Sequence, residues 1–292
     1  MTGEPDDARG RPFAYAPLVA GGLAVPYQLR VNGVLLRDLR LSGPTLAKIF
    51  LGQITNVVAA GSSNGAIGYD EYSYALGAGY PVAKVGNAAG YYIAPDPLNV
   101  SLSLTRATLN PDLTANLDGV YAFEDPRAYP LSGYTYLILP TGADDARMTT
   151  AKRQTLVNFF AHTACTGQAG VSVMGYAPLP LNMVRAQFDQ LRKLHDADPA
   201  VDVSTLDPAH CANPTFIPGD LTRDVPVQAQ NDATPYAGGV VIQVALGSRV
   251  SLTQVDPASP GGHPAQATPA GAYDGREPTP IGQVMPFGPW LQ

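Results

Sequence analysis

The chain has 292 residues, enough for one large or two medium domains with a sizeable core. Only 14% of residues are charged, 45% are apolar, and the net charge is −6, so no basic field exists for non-specific binding of nucleic acid. No apolar run approaches the roughly 18–20 residues of a membrane span, no heptad pattern marks a coiled coil, and 30 Gly with 28 Pro fall short of collagen or low-complexity sequence.

Residues 1–11 are polar and are expected to be disordered. They lack the basic start and apolar stretch of a secretory signal. Phe13–Val19 and Leu23–Leu29 read as strands, and Asn32-Gly33 reads as a hairpin turn. Leu39–Leu41 is a short strand. Ser42 then caps a helix that has Pro44 in its first turn, an apolar face of Leu46, Ile49 and Phe50, and Gly52 near its end. A strand over Ala66–Tyr69 and a short helix over Glu71–Leu76 follow, with extended pieces at Val82–Val85 and Tyr91–Ile93. Between Leu98 and Leu109 the pattern fits strand and helix equally. Tyr134–Leu139 (YTYLIL) reads as a buried strand. Thr149 or Thr150 caps a helix with Leu156, Val157, Phe160 and Ala164 inward, and Leu181, Val184, Phe188 and Leu191 mark another.

Beyond residue 195 the composition shifts. Eleven Pro fall in the 75 residues from Pro218 to Gln292. Val240–Leu246 and Arg249–Val255 alternate like a hairpin. Residues 196–224 are expected to form an irregular linker, 225–255 a partial β-module, and 256–292 a disordered Pro/Gly-rich tail.

Few constellations carry chemistry. Gly61-Ser62-Ser63-Asn64-Gly65 matches the G-x-S-x-G nucleophile elbow, but that device needs a strand before the Ser and a helix after it. Here a strand follows, so a Gly/Ser turn is the better reading. Ser62 and Ser63 remain candidates for anion contact, as do Ser42 and Thr45, which sit at a helix N-terminus. An ordinary cap explains the latter pair equally well. Cys165 and Cys211 are the only cysteines, with His162 and His210 beside them. The residues alone permit a disulfide, free thiols or a four-ligand zinc site. The acid pairs Asp70-Glu71 and Glu124-Asp125 lie near turns or helix starts. Tyr69, Tyr72, Tyr74 and Tyr80 read as packing residues.

Four stretches taken together resemble one family: Leu39–Asn56 (LRLSGPTLAKIFLGQITN), Asn64–Ala75 (NGAIGYDEYSYA), Tyr134–Thr141 (YTYLILPT) and the run within Thr155–Pro180. In this order they are similar to the phosphate-binding proteins of phosphate ABC transporters, in the actinobacterial cell-surface branch. Ala20-Gly21-Gly22 fits the same pattern. The resemblance covers residues 12–195. It implies an α/β chain with an incomplete type II periplasmic-binding fold, in which residues 12–130 belong mostly to the second lobe and 131–195 to part of the first. It also implies a Cys165–Cys211 disulfide, an extracytoplasmic or surface location, inorganic phosphate as ligand, a transporter permease as partner, no cofactor, no resident metal and no enzymatic activity.

The family holds phosphate with Ser/Thr loops at helix N-termini, an Asp and an Arg. The first-lobe loops would precede Phe13, and the Arg-x-x-Gly-Ser-Gly-Thr segment would lie between Asn56 and Ala66. Neither is present, so the chain is expected to be truncated, with impaired phosphate binding. The alternatives are a non-binding remnant or surface protein on the same scaffold, and a hydrolase built on Ser63.

Overall fold

The computed structural model describes residues 10–31, 33–54, 65–110, 114–224, 239–243 and 251–255. Its spine is β1 (Phe13–Ala24), twelve residues of mostly small side chains. Ala14, Ala16, Ala20 and Ala24 are buried along it. Strand β2 (Leu39–Leu41) is buried at all three positions and leads into α1 (Gly43–Phe50). Then come β3 (Asp70–Glu71), α2 (Tyr72–Gly77), β4 (Lys84–Gly86), β5 (Tyr92–Ile93) and α3 (Pro97–Leu104). The chain continues through β6 (Ser132–Pro140), α4 (Thr150–Ala164), α5 (Leu181–Ala197), β7 (Gly239–Gln243) and β8 (Ser251–Val255). The architecture is mixed α/β.

Among the described residues, β1 is central in a three-stranded antiparallel sheet ordered β6–β1–β3. Its register with β6 runs from Phe13↔Pro140 to Gly22↔Ser132, slipping between Pro17 and Val19. Pro17 has no N–H to give the ladder, which suits a bulge at that point. A second sheet has the order β8–β7–β2–β4–β5. Strands β7, β2 and β4 are parallel, and each edge strand is antiparallel to its neighbour. The hairpin seen in the sequence beyond residue 239 thus adds itself to the main sheet, with Val240 opposite Leu39. One continuous core joins residues from Ala16 to Phe216.

Local chemistry explains most boundaries. Ser42 Oγ accepts from Thr45 N, so α1 starts where the cap and Pro44 place it. Gly33, in the turn between Arg30–Val31 and Val34–Leu35, has φ +80°. The ambiguous stretch after Leu98 is helical because Asp96 caps it, accepting from Leu98 N at 3.0 Å, with Pro97 as its first residue. Val100 to Leu104 are all buried, so no one-sided period exists to be read. The serines in that run are satisfied: Ser101 donates to the Pro178 carbonyl at 2.6 Å and Ser103 to that of Asn99 at 2.8 Å. Helix α5 buries Leu181, Val184, Phe188 and Leu191 as its period requires, and α4 buries Val157, Phe160 and Ala164, with Leu156 partly covered.

Three expectations need correction. Tyr134–Leu139 is a strand but not a buried one: Tyr136 and Ile138 are 40% and 63% exposed. β6 is the outer strand of its sheet, so an apolar run there covers one face only. Phe50 is half exposed and leans edge-on against Tyr69 instead of entering the core. The 196–224 stretch is neither wholly irregular nor a linker, since Phe216–Ile217 pairs antiparallel with Asp220–Asp224. Val201, Leu206, Cys211 and Phe216 are buried in the common core, and Asn213 donates to the Ala164 carbonyl at 2.8 Å. The expectations for residues 1–9 and 256–292 lie outside the described residues.

Cys165 ends α4 and is bonded to Cys211, with Cα atoms 4.9 Å apart. The zinc alternative is set aside. The His162 ring bonds Thr166 Oγ1 and the His210 ring Asp207, and no metal-holding group of His, Cys, Asp and Glu occurs among the described residues. The bridge pins the segment around Cys211, across a sequence separation of 46. Loop closure of that length is worth about 4 kcal/mol in the chain-entropy model. Replacing both cysteines by Ala is therefore expected to lower the urea midpoint, with a loss of unfolding free energy approaching that value. An unchanged midpoint would show that the segment holds by packing alone.

Candidate functional site

Where β1, β6 and the start of α2 meet, they leave an open-sided cavity of about 300 Å³. Its walls are Ala20–Leu23 of β1, Leu131–Thr135 at the start of β6, Glu71, Tyr121 and Tyr176. The close approach of strands at this point depends on glycine. A Cβ on Gly21 would lie 2.8 Å from Glu71 Oε1, and one on Gly22 would lie 2.9 Å from Pro95 Cβ and 3.1 Å from Val100 Cγ2.

Glu71 is the N-cap residue of α2, yet its side chain makes no capping bond. Oε2 accepts instead from the Ser73 hydroxyl. Oε1 is shielded from solvent and has no hydrogen-bond partner. Tyr176 reaches this corner because Gly175, at φ +88°, brings the backbone against Ser73; a Cβ there would sit 2.8 Å from Ser73 Cα. A hydrogen bond with Ser73 favours the Tyr176 phenolate, but burial, a hydrogen bond to the Glu71 side chain and the charge of that carboxylate outweigh it, and the pKa moves up. The phenol therefore stays protonated at neutral pH and can donate.

The floor is held from beneath. The Tyr129 hydroxyl donates to the Leu23 carbonyl at 2.7 Å, and Ser132 Oγ to that of Tyr129 at 2.7 Å. Burial pushes the Tyr129 phenol well up. The turn before Tyr129 is fixed by Asn87, whose Nδ2 donates to the carbonyls of Asp125, Pro126 and Ala128, each at 3.1 Å. Arg127 closes the turn with a two-point contact to Asp125, at 2.9 and 2.7 Å. Asp125, half of an acid pair in the sequence, is thus a structural partner of Arg127.

The anion candidates lie elsewhere. Ser42 and Thr45 do not line this cavity. Their hydroxyls hydrogen-bond each other at 2.8 Å. In the first turn of α1, Pro44 has no N–H, that of Thr45 goes to Ser42 Oγ, and that of Leu46 to the Ser42 carbonyl. A cap this well satisfied has little left for an anion. On the neighbouring strands, Asp38 bridges Arg40 at 2.9 Å and Lys84 at 2.8 Å, offsetting their charge. Ser62 and Ser63 lie outside the described residues. The sequence singled out Glu71 only as half of an acid pair; its burial against Gly21 needs the β1–β3 pairing, which no local signal announces.

No family model matches the chain. The phosphate-binding protein PstS of Xylella fastidiosa is 28% identical over 121 residues, covering 41% of this chain and 32% of that protein. PstS 3 of Mycobacterium tuberculosis is 28% identical over 248 aligned residues, covering 59% and 64%. The chain is a distant homologue of the PstS phosphate-binding proteins. It spans less than two thirds of the length of either PstS relative. A solved periplasmic phosphate-binding protein with bound phosphate, PfluDING, is 18% identical with a TM-score of 0.47, over 65% of this chain and 76% of that one. An ancestral soluble variant of the human phosphate binding protein gives 16% identity and a TM-score of 0.46, over 67% and 79%.

Two predictions follow from the packing around the cavity in this PstS homologue. Gly22→Ala is expected to cost about 1–3 kcal/mol, since its new methyl group overlaps Pro95 and Val100; thermal melting reads the loss. The second concerns acid. The hydrogen bond from the Arg127 side chain holds Asp125 below its ordinary pKa, against an opposing effect of burial. A depressed carboxylate contributes stability that is complete above its unfolded pKa of about 4 and is lost as pH falls through the lower, folded value. Arg127→Ala should therefore destabilise the protein at neutral pH, with the gap to the parent narrowing below about pH 4. A gap independent of pH would exclude this pair as its source.

Proposed function

We propose that this chain is a phosphate-type solute-binding protein of an ABC import system, acting outside the cytoplasm, without catalysis, and with weakened affinity for phosphate. The observation that carries the reading is its homology to PstS 3 and PstS 2 of mycobacteria and to PstS of Xylella fastidiosa. The Cys165–Cys211 bridge supports an oxidising compartment. Among the described residues no helix is long and apolar enough to cross a membrane.

The weakening rests on donor chemistry. A desolvated phosphate needs many charge-assisted donors. The ten residues 55–64 (TNVVAAGSSN) contain no cation, and Ser42 and Thr45 are engaged in capping α1. The same facts favour, as second reading, a surface protein that keeps the scaffold without the ligand. By this proposal residues 12–130 derive mostly from the second lobe of the family fold and 131–195 from the first.

Isothermal titration with inorganic phosphate separates the readings. The expected result is heat corresponding to a dissociation constant weaker than micromolar. Complete absence of binding favours the second reading, and micromolar or tighter binding overturns the weakening.

A further inference from the structure

The β1–β6 cavity has a chemistry opposite to that of a phosphate site. Glu71 is the one charged side chain among its described lining residues, and the whole chain carries a net charge of −6. An anion entering it would meet a carboxylate and no cation. We propose that this cavity binds a small organic ammonium compound, a primary amine on an apolar or aromatic body, with Glu71 as its counter-ion.

Three observations converge on that class. First, Glu71 has an unfilled acceptor. Oε1 is buried against Gly21, itself a wall residue, while Oε2 is held by Ser73. A buried oxygen without a donor is costly, and an ammonium group supplies a charge-assisted one. Rotation about the terminal bond of Glu is soft, so either oxygen can turn to the ligand. Second, Tyr121, Tyr134 and Tyr176 line the same space, and aromatic side chains attract ammonium ions. Third, apart from Ser132 and Thr135 the remaining walls are Gly, Ala and Leu, apolar surface for the body of the amine, in a volume of about 300 Å³ that suits one ring or a short alkyl chain. Glycine at positions 21 and 22 keeps that space open.

This inference does not depend on phosphate binding, and its test is separate. Benzylammonium is titrated into the full chain, with benzyl alcohol as the neutral control of similar shape. Benzylammonium is expected to bind and raise the melting temperature, with benzyl alcohol at least tenfold weaker. Glu71→Gln, which keeps size and removes charge, should weaken benzylammonium at least tenfold. Tyr121 is half exposed, so Tyr121→Ala is a variant that spares the core; it should weaken the same probe several-fold. No binding at millimolar benzylammonium, equal binding of the alcohol, or affinity unchanged in Glu71→Gln with Tyr121→Ala also silent would each overturn the proposal.

Discussion

The three-stranded sheet and the helices packed on it all have to come close to the backbone of β1. The strand is flanked by β6 and β3, bridged through Ala20 to Ala177 by two hydrogen bonds of 3.0 and 2.8 Å, and covered by α5 and α3. Only small residues permit such approach from several directions, and β1 carries alanine or glycine at six of its twelve positions. The cost of this arrangement is poor local propensity, since Ala and Gly are weak strand formers. The strand exists because tertiary partners fix it. Gln168 illustrates the point: buried and fully engaged, it donates to the carbonyls of Leu18 and Thr163 and accepts from Leu179 N, tying β1 to the end of α4 and the approach to α5.

The same constraint decides what was legible in the sequence. Elements with their own punctuation were readable: α1 from Ser42 and Pro44, the turn at Gly33, and α5 from an apolar period facing one side. Helix α3 was not, because burial on every side erased its period. Residues 196–224 read as a linker because irregular backbone leaves no pattern, although its scattered apolar residues and Cys211 are what anchor it. At the candidate site, Ser42 and Thr45 were visible as a motif and proved to be a self-satisfied cap. Glu71, Gly21, Ser132 and Tyr176 lie far apart in sequence and meet only through strand pairing and one left-handed glycine. The family likeness was readable because it rests on whole stretches of sequence and not on single positions.

Two regions of the molecule thus divide the polar chemistry. Around α1 and the neighbouring strands, Arg40 and Lys84 share the Asp38 carboxylate and the Ser42 and Thr45 hydroxyls are engaged in the cap. At the β1–β6 junction a carboxylate is present and incompletely matched. Ligand preference in a binding protein follows from such leftovers more than from composition, because a satisfied group offers a newcomer only an exchange of equal bonds.

The parallel pairing of β7 with β2 has a consequence for how the chain is made. Leu39 waits for Val240, about 200 residues further along. At synthesis rates of about 5–20 residues per second, one side of β2 stays without that neighbour for roughly 10–40 s after it leaves the ribosome. During that interval the nascent sheet presents an open, apolar edge, the surface most prone to pair with another chain. Closure of that side of the sheet waits for the synthesis of β7, which makes the progress of translation itself a step in folding.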